Sequence, residues 1–201
     1  MTRYKEHDNC NLNKNEKSYK NVYIVLSQTR TYPARVIKLY THEPYAHASI
    51  AFDEDLEEMY SFARRGLYNP FNAGFIREHI DKGVFGRFTT TECSIYRLRI
   101  TNQQYISLRR EIDRFNQNKN SYSYNYLGLI GAAFNIPIRS KQRYFCSQFV
   151  AYVLEQSGIY LFEKTYALVK PRDIRVNPNL ETIYQGRLSQ YRIHKKKYHI
   201  A

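Results

Sequence analysis

The sequence predicts an α+β domain, and three observations carry that expectation. β-branched and aromatic runs cluster in the first half of the chain, two amphipathic segments with clear end signals follow, and one more strand-like run comes late. Strands, then helices, then a strand is the order of an α+β domain, not of the regular alternation that winds a parallel sheet.

Residues 1–20 carry almost no aliphatic side chains and many Asn, Lys and Glu, and read as a polar tail. Asn21–Ser27 (NVYIVLS) suits a buried strand. Pro33 interrupts the chain behind it, and Ala34–Tyr40 suits a short helix. Ala46–Phe52 (AHASIAF) is a second strand, and the acidic turn Asp53-Glu54-Asp55 leads into its hairpin partner, Glu58–Ala63 (EMYSFA). Between Arg65 and Thr91 stand Gly66, Pro70, Gly74, Gly83 and Gly86, the chemistry of a loop with short elements at most.

Ser94–Ile100 alternates as a strand with one wet face. Thr101 and Gln104 are spaced as a capping box, which covers backbone N–H groups that a helix start leaves orphaned. Behind them Tyr105, Leu108, Ile112 and Phe115 form one apolar stripe. Residues 116–125 are a polar connection. Phe145–Ser157 is a second helix, with Gly158 at the position where a left-handed residue ends a helix. Thr182–Ser189 is the late strand. The chain therefore divides into a tail over 1–20, one domain over 21–193 and a basic tail over 194–201.

A 201-residue chain of 43% apolar residues builds its core without disulfide or metal staples, since it buries roughly 70% of its unfolded surface. Twenty Tyr and eleven Phe exclude global disorder. The longest apolar stretch, Tyr126–Phe134, falls short of the ~20 residues a membrane-spanning helix needs. Lys and Arg exceed Asp and Glu by 31 to 18, a net charge of +13 with a pI near 9.6. These cations are spread along the chain, with Lys195-Lys196-Lys197 as the one block, and no zinc-finger, helix-turn-helix or RRM pattern accompanies them. The charge reads first as a solvated surface. The polar N-terminus lacks the apolar region of a signal peptide, so the expectation is a cytoplasmic protein with reduced thiols. Cys10, Cys93 and Cys146 form no CxxC pair, so neither a zinc site nor a disulfide framework is expected, and no cofactor or metal.

Cys146 stands apart from the other two. It falls in the first turn of the Phe145–Ser157 helix, where the helix dipole and unpaired N–H groups favour a thiolate and offer donors to an oxyanion. The best-placed candidate base is His47, which opens a strand whose His47, Ser49 and Ala51 point one way; the small residues suit the close approach of a helix to that face. Cys93 and Cys10 read as incidental. Ser27-Gln-Thr-Arg-Thr31 reads as a hydroxyl-rich turn that is a candidate cleft lining. Tyr122, Tyr124 and Tyr126 are candidate aromatic walls, and Tyr23 a candidate oxyanion donor.

Tyr45-Ala-His47-Ala-Ser-Ile, Met59-Tyr-Ser-Phe62 and Phe145-Cys146-Ser-Gln-Phe149 resemble the permuted branch of the papain-like, NlpC-type cysteine hydrolases, in the manner of the YiiX-like proteins and the lecithin:retinol acyltransferase group. The order agrees, with the histidine strand ahead of the cysteine helix. The resemblance covers roughly residues 20–190. It implies a permuted papain-like fold, an antiparallel sheet packed against a helix carrying the cysteine. It further implies Cys146 as nucleophile and His47 as the base that activates it and protonates the leaving group.

The family places a third polar residue on the strand after the histidine strand. Here that strand offers Glu58, Tyr60 and Ser61, with no His, Asn or Gln. If Phe52 pairs opposite Glu58, Ser61 falls on the face of His47, and a one-residue slip substitutes Tyr60. Glu78, reaching in from the loop, is the other candidate. The implied activity is a thiol hydrolase or acyl transferase acting on amide or ester bonds, with a peptide, murein-peptide or acyl substrate, acidic if the basic surface selects it. The alternative reading is a non-catalytic basic module that binds an anionic polymer.

Overall fold

The structure is a computed structural model and describes residues 18–29, 43–66, 69 and 71–198. It is an α+β arrangement around a six-stranded, wholly antiparallel sheet of order β4-β3-β2-β1-β5-β8. The strands are β1 (Tyr19–Gln28), β2 (His47–Ala51), β3 (Met59–Arg64), β4 (Ala73–Glu78), β5 (Glu92–Thr101) and β8 (Glu181–Arg187). Two short strands, β6 (Ser123–Tyr124) and β7 (Arg143–Tyr144), pair in parallel beside it. The helices are α1 (Gly83–Arg87), α2 (Asn102–Gln117), α3 (Tyr126–Ala133), α4 (Cys146–Gln156), α5 (Pro171–Arg175) and α6 (Tyr191–Tyr198).

Helices α2 and α4 cover one face of the sheet. Leu108, Ile112 and Phe115 of α2 and Phe149, Val150 and Val153 of α4 join Ile24, Leu26, Ala48, Ile50 and Phe62 in one buried cluster. Phe62 is its hub, with ring centroids 5.2 Å from Phe149, 5.3 Å from Tyr144 and 5.9 Å from Phe115. The other face is covered by α1, the turn at Leu188 and the start of α6, over Val25, Ala51, Met59, Cys93 and Ile95. Period-two alternation divides the strands between these layers.

The end signals act as expected. Thr101 Oγ1 accepts from the Gln104 backbone N–H while the Gln104 side chain accepts from the Thr101 N–H, closing the capping box on α2. At the end of α4 the Ile159 N–H bonds the Leu154 carbonyl and the Gly158 N–H that of Glu155, with Gly158 at φ +72°.

Two expectations are corrected, and two stretches to which the sequence reading gave no secondary structure are helical. The glycine-rich stretch after Arg65 contains a full strand, β4, paired along its whole length with β3 from Met59–Glu78 to Arg64–Ala73. Gly74 is there because the backbone packs tightly: a Cβ would lie 2.5 Å from the Tyr122 carbonyl oxygen. β5 is not wet along the whole of one face, because Cys93 and Ile95 are buried beneath the second layer while Arg97, Arg99 and Thr101, toward its far end, meet solvent. The apolar stretch at Tyr126 forms helix α3. The basic stretch after His194 is helical through Tyr198, anchored by the buried Tyr191 and by Lys195 on Asp55 at 2.6 Å. The short helix expected over 34–40, and Cys10, His7, His42 and His199, lie outside the described residues.

Candidate active site

The site forms where β2 and β3 separate. Their ladder pairs Ile50 with Tyr60 and Ala51 with Met59, and the Phe52 N–H bonds the Glu58 carbonyl, so the register is the one that puts Ser61 on the face of His47. The first residues of β2 are not paired to β3, and the start of α4 enters there. The Cys146 sulfur lies 3.9 Å from the Ala46 carbonyl oxygen and takes hydrogen bonds from the backbone N–H groups of Ala48 and Ser147. Helix α4 itself packs on Ala48 and Ile50, not on Ser49 and Ala51 as the sequence suggested. Both parities of this strand are small or apolar, so alternation alone did not say which face the helix takes.

His47 leads from the opposite face to the same gap. Its Nε2 lies 3.1 and 3.2 Å from the two carboxylate oxygens of Glu78 and 3.2 Å from Ser49 Oγ. Ser49 Oγ donates to Glu78 Oε2 at 2.5 Å, the length of a charge-assisted bond. The Cys146 sulfur and the imidazole act on each other by hydrogen bond and by charge. The Glu78 side chain is 8% exposed and that of His47 20%, while Cys146 keeps 2% of its surface, so the imidazole is the site's edge toward solvent.

The electrostatics favour an ion pair. Burial alone lowers the pKa of His47, but the Glu78 carboxylate overrides it and, with Cys146, lifts it to about 10. Burial raises a carboxyl's pKa, yet the charge and hydrogen bonds of His47 and the hydroxyl of Ser49 hold Glu78 below its ordinary value. Burial also raises a thiol's, yet the hydrogen bond and charge of His47, with the two backbone N–H groups, bring Cys146 below the ordinary thiol value. One shift is upward and two are downward, and each favours the charged form of its group: thiolate, imidazolium and carboxylate.

The sequence-predicted residues divide as follows. His47 and Cys146 come together. Ser61 lies near the Glu78 carboxylate and not on the imidazole, and its buried Oγ closes no hydrogen bond. Tyr60 points into the opposite core, with its hydroxyl on Glu58. The carboxylate on His47 is Glu78, the last residue of β4 and not a loop residue. Tyr124 joins the site, its hydroxyl 4.0 Å from the sulfur, and its ring packs 4.8 Å from Tyr126. Tyr122 belongs to the core. Tyr23 lies in the second layer with Ala51 and Met59. Ser27 is buried beside His47 in the ladder. Arg30 and Thr31 lie outside the described residues.

The sequence reasoning missed the role of Ser49, taken only as a small residue. Its signal was present: in a two-residue period, Ser49 shares a face with His47 and points a hydroxyl where a charged partner must sit. Among the described residues no group of His, Cys, Asp and Glu is placed to hold a metal ion, and no helix is long and apolar enough to cross a membrane. No protein-family model and no curated protein sequence matches the chain.

Proposed function

We propose that the chain is a cysteine hydrolase or acyl transferase of the permuted papain-like, NlpC type, with Cys146 as nucleophile, His47 as acid and base, and Glu78 in place of Ser61 as the residue that orients the imidazole. One observation carries this reading: a histidine is held between a buried carboxylate and a cysteine at a helix N-terminus, with all three pKa shifts favouring the charged forms. A sheet histidine with no chemical role does not require a carboxylate buried beside it, because burying a charge costs free energy unless it is paired and hydrogen-bonded.

In this reading the Cys146 thiolate attacks the carbonyl carbon of an amide or ester. The C–S bond forms as the carbonyl electrons move to oxygen, and N–H groups at the start of α4 are the nearest built-in donors to that oxyanion. On collapse, the leaving amine or alkoxide takes the proton from His47 and departs, leaving a thioester. The now neutral imidazole draws a proton from water or from an acceptor amine or alcohol, which attacks the thioester and returns the thiolate. Glu78 keeps Nε2–H toward itself throughout, so that Nδ1 serves the sulfur. Peptide amides, murein peptides among them, and acyl esters both suit this chemistry, and the positive net charge favours carboxylate-bearing substrates.

The test is site-resolved alkylation. Iodoacetamide is expected to label Cys146 well below pH 8 and faster than Cys93, and His47→Ala to remove that advantage. Equal profiles for the two cysteines, unchanged by His47→Ala, would overturn the proposal.

A further inference from the structure

Helix α3 is built inside out. A surface helix normally turns its large apolar residues inward and its small or polar ones outward. Here Gly128, Gly131 and Ala132 are buried, while Leu127 is 64%, Ile130 57% and Phe134 64% exposed. The inward face is filled by close approach. Asn125 caps the helix by accepting from the Gly128 N–H at 2.8 Å, and a Cβ at Gly128 would fall 2.1 Å from its amide nitrogen. A Cβ at Gly131 would fall 2.6 Å from the Ile136 carbonyl oxygen. The glycines therefore fix which side faces in, and the orientation is not a matter of helix propensity. The following loop adds Ile136, 58% exposed.

The charges around this surface are of one sign. From Lys119 to Leu154 the chain holds Lys119, Arg139, Lys141 and Arg143 and no Asp or Glu. Arg139, Lys141 and Arg143 form no ion pair among the described residues. Arg64 lies within electrostatic reach of Tyr126 at the other edge. Contiguous exposed apolar side chains rimmed by uncompensated cations match a surface that offers hydrocarbon beneath a layer of negative headgroups.

We propose that α3 and the loop to Arg143 dock on an anionic lipid bilayer, with Leu127, Ile130, Phe134 and Ile136 entering the headgroup boundary and Arg139, Lys141 and Arg143 meeting the lipid charges. The surface borders the cysteine through Tyr126 and Tyr124, so docking brings the mouth of the site to the membrane. This inference stands on the exposed surface and does not depend on the chemistry of Cys146.

The chain contains no Trp, which makes the test direct. A Leu127→Trp variant of the full chain carries a single indole. Its emission is expected to shift to the blue and to be quenched by brominated acyl chains when vesicles of phosphatidylcholine with phosphatidylglycerol are added, and to stay unchanged with phosphatidylcholine alone. In cosedimentation with the anionic vesicles, Leu127→Ser with Ile130→Ser is expected to weaken wild-type binding about tenfold or more. The triple change Arg139→Gln, Lys141→Gln, Arg143→Gln is expected to weaken it roughly a hundredfold at low salt. A Tyr160→Ser control, exposed elsewhere, leaves binding intact. Wild-type protein that stays in the supernatant with both vesicle types, binding indifferent to all these changes, or an indole shift that depends on protein concentration without lipid would each overturn the proposal, the last assigning the surface to a second copy of the chain.

Discussion

Cys93 and Cys146 are both removed from solvent, at 0% and 2% exposure, and both lie within reach of the strand that carries His47. Cys93 even shares His47's face of the sheet, two strands over, with Ser27 paired to each of them. Burial pushes the Cys93 thiol up to about 12, and nothing opposes it. The same burial acts on Cys146, yet its thiol moves down. The difference lies in what replaces water. Cys93 faces Val25, Ile95 and Tyr184 in an apolar layer. Cys146 faces an imidazolium that a buried carboxylate keeps charged, and two backbone N–H groups left over where a helix starts and a ladder stops. Depth alone makes a thiol inert, and only a fixed set of donors makes a buried one reactive.

The contrast breaks most completely if the nucleophile is removed. Cys146→Ser is expected to lower turnover of peptide-amide or ester substrates roughly a thousandfold or more, while Cys93→Ala leaves it within about twofold, as steady-state rates would show. Next in size is His47→Ala. Without the imidazolium the two cysteines approach each other, and alkylation of Cys146 near pH 6.5 is expected to fall roughly 10- to 100-fold while that of Cys93 is unchanged.

Glu78→Gln sharpens the comparison through pH. The His47 pKa in the folded protein, about 10, lies above the unfolded value of 6.5, so its contribution to stability is complete below about 6.5 and is lost as pH rises through 10. Glu78 lies below its unfolded value of 4.5, so its contribution is present above that value and is lost as pH falls through its folded pKa. Wild type is therefore expected to exceed Glu78→Gln in denaturation midpoint most between about pH 4.5 and 6.5. The margin there is about 1–3 kcal/mol, narrowing on both sides. The same variant should move the alkaline limb of the alkylation profile to lower pH.

The serines give the smallest effects, and Ser61 is the residue first expected as the third member of the site. Ser49→Ala removes a 2.5 Å bond to the carboxylate and is expected to cost about 1–2 kcal/mol in chemical denaturation. Ser61→Ala removes a buried hydroxyl that closes no bond and is expected to be neutral or slightly stabilising, with activity retained.

Much of the sheet was legible because its strands announce themselves locally. β1, β2, β3 and β5 are β-branched, aromatic or alternating runs between turn residues, and α2 carries both its cap and its stripe. β4 was hidden for a physical reason. It is six residues long and contains Gly74, present for a close backbone approach, and Gly66 and Pro70 stand just before it, so it reads as a loop until β3 is available as its partner. Glu78 could be named as a candidate from the loop, but the strand that brings it to His47 was hidden with β4. Glu78 is 31 residues from His47 and joins it only through two antiparallel registers, β2 on β3 and β3 on β4. His47 and Cys146, by contrast, each carried a local sign, a histidine opening a strand of small residues and a cysteine opening a helix. The face that α4 takes was not readable from β2, whose alternate positions, Ala48 and Ile50 against Ser49 and Ala51, are equally compatible with a packed helix.

The most direct test of the central claim is the ionisation of Cys146 itself, read from the ultraviolet absorbance of the thiolate as pH is varied. The difference between wild type and Cys146→Ala isolates this sulfur from Cys10 and Cys93, and it requires no reagent to reach a buried atom. The account predicts a thiolate already formed below the ordinary thiol range of about 8.5, and a transition that returns to that range or above in His47→Ala. A Cys146 that titrates at or above the ordinary value in wild type, unmoved by the loss of His47, would contradict it.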